Sequence, residues 1–103
     1  MVKWTFPARD DLKAIYEYIA LDSKFYAKKI IREIVTISST IPDMPERGRI
    51  VPETDKNEIR ELFIYSYRLI YQLSPDEISI LAVIHGSRNI TASDIHKSDF
   101  PRI

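Results

Sequence analysis

The sequence predicts an α+β fold in which a hairpin of two helices packs on one face of an antiparallel sheet. Three observations carry that expectation. Residues 59–66, 67–73 and 78–85 are rich in β-branched and aromatic side chains and are parted by short polar breaks, the pattern of consecutive antiparallel strands. Two stretches upstream, over 7–20 and 23–42, instead repeat apolar residues at three- and four-residue spacing, which is helical. Helices and strands are thereby segregated along the chain, leaving one sheet face covered by the helical hairpin and the other open.

In chain order, residues 2–6 alternate, with Val2, Trp4 and Phe6 on one face, and end at Pro7; this is a short first strand. Pro7 suits the first turn of a helix, and Leu12, Ile15, Tyr16 and Ile19 form its apolar stripe. Asp10 and Asp11 are placed in the first turn, where negative charge opposes the positive end of the helix dipole; this outweighs the alternative of paired catalytic carboxylates. Asp22 and Ser23 offer a stop and a new N-cap, after which Ala27, Ile30, Ile31, Ile34, Ile37 and Ile41 carry a second helix toward Pro42. Its outer side bears Lys24, Lys28, Lys29 and Arg32, a pattern more often a solvated face than a patch for nucleic acid or an acidic partner. Lys29 and Glu33 stand at pairing distance along that helix. Residues 40–55, with Pro42, Pro45, Gly48 and Pro52, form a loop with a short extended piece at 49–51. Gly86 gives a turn after the last strand, and the tail over 89–103 is polar, weakly periodic and loosely ordered at its end.

Composition narrows the function. A chain of 103 residues makes one domain, 1–103. It has no cysteine and only two histidines, so neither disulfides nor a metal centre is expected, and no cofactor is implied. No apolar run approaches the roughly 20 residues needed to span a bilayer, and the amino terminus lacks a leader's order, so a cytoplasmic protein without membrane contact is expected. Fifteen basic residues balance fifteen acidic ones, which removes any global attraction to nucleic acid.

Within the strand over 67–73, Tyr67, Leu69, Tyr71 and Leu73 share one face while Arg68, Ile70 and Gln72 share the other. A charge among apolar neighbours must be paired, reach water or meet a ligand, so Arg68 is the chief candidate for function. It is expected on the open face together with Arg60. Arg60, Glu61, Glu53 and Arg88 are equally a ligand site or a structural ion-pair network to which Arg68 belongs. His85 ends a strand, where a hydrogen bond to a loop carbonyl is the commoner role and acid–base catalysis the rarer. Trp4, Tyr16, Tyr18, Tyr65, Tyr67 and Tyr71 read as packing residues, and Gly48 and Gly86 as turn residues.

Taken together, WTFPARDDLKAIYEYIALDS, GRIVPE at 48–53, IREL at 59–62, YRLIY at 67–71 and VIHGSR at 83–88 resemble the ParE/RelE superfamily of type II toxin–antitoxin toxins, known from plasmid stabilization. The similarity runs over nearly the whole chain up to Asn89. It implies a curved antiparallel sheet under two helices, in the order β-α-α-β-β-β(-β). It also implies a cognate antitoxin, bound in a toxin–antitoxin hetero-oligomer. RelE-like members are ribosome-dependent messenger RNA endoribonucleases; ParE-like members inhibit DNA gyrase and lack the nuclease residues. On the nuclease reading Arg68 and Arg88 match phosphate-stabilising arginines, and His85 is an acid or base. On the ParE reading Arg60, Glu61, Arg68 and Arg88 belong to partner recognition. RelE enzymes carry lysines on the strand before YRLIY, where this chain has Ile59 and Glu61, and a tyrosine in the tail, which is missing here. GRIVPE, IREL and HGSR resemble the ParE side, and gyrase is the expected target. The alternatives are a ribosome-dependent nuclease acting on messenger RNA and a degenerate member that only binds an antitoxin.

Overall fold

The computed structural model describes residues 1–86; Arg88 and the tail over 89–103 lie outside the described residues. Strand β1 (Val2–Trp4) leads into helix α1 (Phe6–Ala20), and helix α2 (Lys24–Ser39) returns antiparallel to it. A single 3-10 turn at Ile41–Asp43 then precedes strands β2 (Arg49–Ile50), β3 (Ile59–Ile64), β4 (Tyr67–Leu73) and β5 (Ile78–His85). The five strands form one sheet in the order β1-β5-β4-β3-β2. Pairing is antiparallel except between β1 and β5, which run parallel, with Val2, Lys3 and Trp4 opposite Ile78, Ser79 and Ile80. The helical hairpin covers one face, as the segregation of periods predicts.

Helix α1 begins one residue earlier than Pro7 suggests. Thr5 is its N-cap, accepting from the Ala8 amide at 3.3 Å, so Phe6 is helical and the first strand stops at Trp4. This shift moves Asp10 and Asp11 out of the first turn, which holds no acidic residue, and the dipole explanation fails for them. Asp11 has a different task. Its Oδ2 accepts from the Val83 amide of β5 at 3.0 Å, while the Thr5 amide and Oγ1 both donate to the Ile80 carbonyl, at 3.2 and 2.8 Å. Strand β1 ends too early to serve this stretch of β5, and a buried amide without an acceptor is costly. The start of α1 supplies the missing partners.

Helix α2 is capped by Ser23, as expected, but stops at Ser39; Ile41 reaches the core from the 3-10 turn instead. Ala8, Ile30, Ile34 and Ile41 pack on Ile64, Leu69, Tyr71, Ile78, Ile80 and Val83 to form the main core. Each large side chain removed from water there contributes about 1.5–3 kcal/mol.

The opposite sheet face differs from expectation. It is not open at its centre: Val51, Ile59, Ile70, Leu81, Ala82 and Ile84 form a second buried cluster. A bulge in β5 builds it. Ile70 pairs with Ala82 but Tyr71 with Ile80, so Leu81 is an extra residue and both it and Ala82 join the far cluster. The segment after β2 then folds onto this face, carrying Val51 into the cluster and Glu53 to the side of β4.

Candidate functional site

Strand alternation and register put Arg68, Glu61 and Arg49 on the far face, since Arg49 pairs with Glu61 while Arg68 lies one strand further along. The Arg68 Nε donates to Glu61 Oε1 at 2.8 Å, and its Nη1 and Nη2 donate to the two oxygens of Glu53 at 3.1 and 3.0 Å. The second oxygen of Glu61 accepts from the Arg49 Nε. Burial grades outward: the side chains of Glu61 and Arg68 are 0 and 5% exposed, that of Glu53 27% and that of Arg49 60%. Two guanidiniums and two carboxylates thus balance across one patch. The hydrogen bonds that Arg68 donates to Glu53 raise its pKa further above the ordinary value, with burial opposing and Glu61 adding to the rise. Arg68 is a permanent cation held by a carboxylate fork.

Arg60 is not part of this patch, contrary to the expectation that it shares a face with Arg68. It pairs with Tyr71 and so falls on the helical side of the sheet, because neighbours along a strand point oppositely. There its guanidinium donates to the carbonyls of Glu46, Gly48 and Asn57 at 3.0–3.1 Å, and to Asn57 Oδ1 at 3.0 Å. The Tyr71 hydroxyl completes the clasp: it accepts from the Gly48 amide at 2.9 Å and donates to the Pro45 carbonyl at 2.8 Å. Gly48 is more than a turn residue. A Cβ there would come within 2.6 Å of both the Glu61 carbonyl and the Tyr71 hydroxyl. The loop is therefore tied down from both faces of the sheet, by Arg60 and Tyr71 on one and by Arg68 on the other.

His85 stands opposite Tyr67, with the rings edge to face at 6.0 Å, and Arg68 stands opposite Ile84. One residue of offset puts His85 and Arg68 on opposite faces, so they do not converge on one reacting group. The ligand role of Arg88 lies outside the described residues. The Lys29–Glu33 pairing expected on α2 is replaced by a hydrogen bond from the Tyr65 hydroxyl to Glu33. Tyr65 sits at φ 55 in the tight turn between β3 and β4, an uncommon backbone state for a non-glycine residue. Sequence reading missed Arg49, Gly48 and the Tyr71 hydroxyl. The signal available was GRIVPE itself, whose Arg49 opens β2 and whose Glu53 follows it, both reaching the same arginine–glutamate patch.

The two-helix hairpin on a five-stranded mixed sheet is consistent with the ParE/RelE fold of type II toxin–antitoxin toxins. The chain belongs to the ParE toxin family: the model for the ParE toxin of the type II toxin–antitoxin system parDE matches residues 2–90. The protein named Toxin RelE2 from Caulobacter vibrioides is 31% identical over 88 residues, covering 84% of this chain and 96% of that one. Among solved structures, the chromosomal ParDE toxin–antitoxin system from P. aeruginosa superimposes with a TM-score of 0.68 at 26% identity, covering 82% of this chain and 92% of that one.

Proposed function

We propose that this toxin acts by binding DNA gyrase, without cutting RNA, and that a cognate antitoxin neutralises it. The occupied guanidinium of Arg68 carries the reading. A phosphate could use it only by displacing Glu53, and a group already neutralised by two carboxylates gives little extra stabilisation to growing negative charge. The placement of His85 on the other face supports the same reading, since general acid–base work needs a partner within hydrogen-bond reach of the reacting atoms. The antitoxin partner is supported by the likeness to a ParDE system. The outer edge of β3 beyond Glu61, where β2 has ended and Phe63 is exposed, is a fitting seat for an added strand.

The likeness to a protein named RelE2 favours the alternative, a ribosome-dependent messenger RNA nuclease. One experiment separates the two. Purified toxin is added to gyrase from the same source in a supercoiling assay, and in parallel to a translation reaction whose messenger RNA ends are mapped. Loss of supercoiling with intact message is expected; codon-positioned cuts with unchanged supercoiling would overturn the gyrase reading.

A further inference from the structure

We propose that the outward face of α2 is a sequence-independent docking surface for the sugar–phosphate backbone of duplex DNA. Helix α2 carries four cations, Lys24, Lys28, Lys29 and Arg32, against one carboxylate, Glu33. All four cations are exposed, and among the described residues none of them forms an ion pair. Glu33, the one carboxylate within α2, accepts a hydrogen bond from the Tyr65 hydroxyl of the β3–β4 turn and forms no ion pair with these cations among the described residues. A chain with no net charge thereby concentrates positive charge on one helix.

The spacing favours a regular polyanion. At 1.5 Å of rise per residue the four cations spread over about 12 Å of helix. One DNA strand advances about 3.4 Å per phosphate, so that length faces roughly three or four phosphates. An acidic protein segment would also be attracted, but it would anchor on the exposed apolar side chains beside the cations, Leu21 and the 79% exposed Phe25. A phosphate backbone needs the cations and not those anchors.

The inference rests on the gyrase reading: the target works on duplex DNA, so a toxin bound to it has a DNA backbone alongside. The test uses the full chain and a short fluorescent duplex of arbitrary sequence, with binding followed by anisotropy between about 50 and 200 mM salt. Binding should weaken with a log–log slope of about −3, and K28E/R32E should reduce both affinity, by about tenfold or more, and the slope, by about two. L21S/F25S should bind DNA nearly as the parent does. Circular dichroism confirms that each variant is folded. Absence of binding at the lower salt, or loss with L21S/F25S but not with K28E/R32E, overturns the proposal, the second pattern pointing to a protein segment. The supercoiling assay on the same proteins keeps the two readings apart. K28E/R32E should require several-fold more toxin for equal inhibition. Undiminished inhibition by that variant overturns a role for the face on gyrase while leaving gyrase as target. DNA binding by a parent toxin that leaves supercoiling untouched sinks the gyrase reading alone.

Discussion

Glu61 is wholly buried between the guanidiniums of Arg49 and Arg68, so changing either partner of the inner pair takes from a buried charge one of its two counter-charges, leaving Arg68 with Glu53 alone or Glu61 with Arg49 alone. Glu61→Gln or Arg68→Met alone should cost about 1.5–3 kcal/mol in urea unfolding, the worth of a hydrogen bond to a charged group. Arg68→Met combined with Glu61→Leu should cost clearly less than the sum of the single changes, because neither buried charge of the inner pair is then left short of a partner. Equal and additive losses would show that the pair is not coupled. Tyr71 gives a pH dependence. Burial raises its pKa above the ordinary 10.0, with the Gly48 amide and the nearby Arg60 and Arg47 pulling the other way. Above pH 10.0 the unfolded chain loses that proton while the folded one keeps it, so stability present below falls as pH rises. Tyr71→Phe should flatten that alkaline decline and lower stability near neutrality by about 1–3 kcal/mol, since the Gly48 amide is left without its acceptor. Urea midpoints measured from neutrality into the alkaline range check both effects. Arg68 announced itself in the sequence because a lone charge among apolar strand residues must be answered. Which residues answer it was only partly legible, since Glu53 reaches it through a loop whose path no periodicity encodes.

Among the elements, the loop between the 3-10 turn and β3 is the one that sequence pattern described least well. Its prolines and glycine mark a break in periodicity, but they do not say that the chain turns back across the sheet to bury Val51 and deliver Glu53. Gly48 makes that crossing possible by letting the backbone lie against Glu61 and Tyr71. Gly48→Ala should therefore destabilise by about 1–3 kcal/mol or more, the usual result of overpacking where the close neighbours include backbone. Thermal unfolding of the variant measures this, and an unchanged midpoint would mean the contact is slack. Helix and strand identities were legible because each has its own period. The side assigned to β5 residues was not: Ile78 and Ile80 face the helices, yet the bulge at Leu81 sends Ala82 and Ile84 to the far face. A strict alternation would have kept them together.

At the scale of the whole molecule, the sheet order makes β5 the keystone between β4 and β1, and through Thr5 and Asp11 the partner of α1 as well. A chain truncated after Leu73 keeps both helices and four of the five strand segments but loses that partner. It should show no cooperative unfolding transition by circular dichroism, because the main core is left without Ile78, Ile80 and Val83. A sigmoidal transition from that fragment would show the helical hairpin and the remaining strands to be self-sufficient. The segregation of helical and strand periods foretold the layers, whereas the parallel docking of the first strand on the last left no local trace.

Val2 cannot find Ile78 until most of the polypeptide has been made. During synthesis on the ribosome the two helices therefore emerge with no sheet to rest on, their apolar stripes accessible to whatever protein is at hand. An inhibitor already present in the cell can meet its toxin in that interval, before the poison has acquired a finished shape.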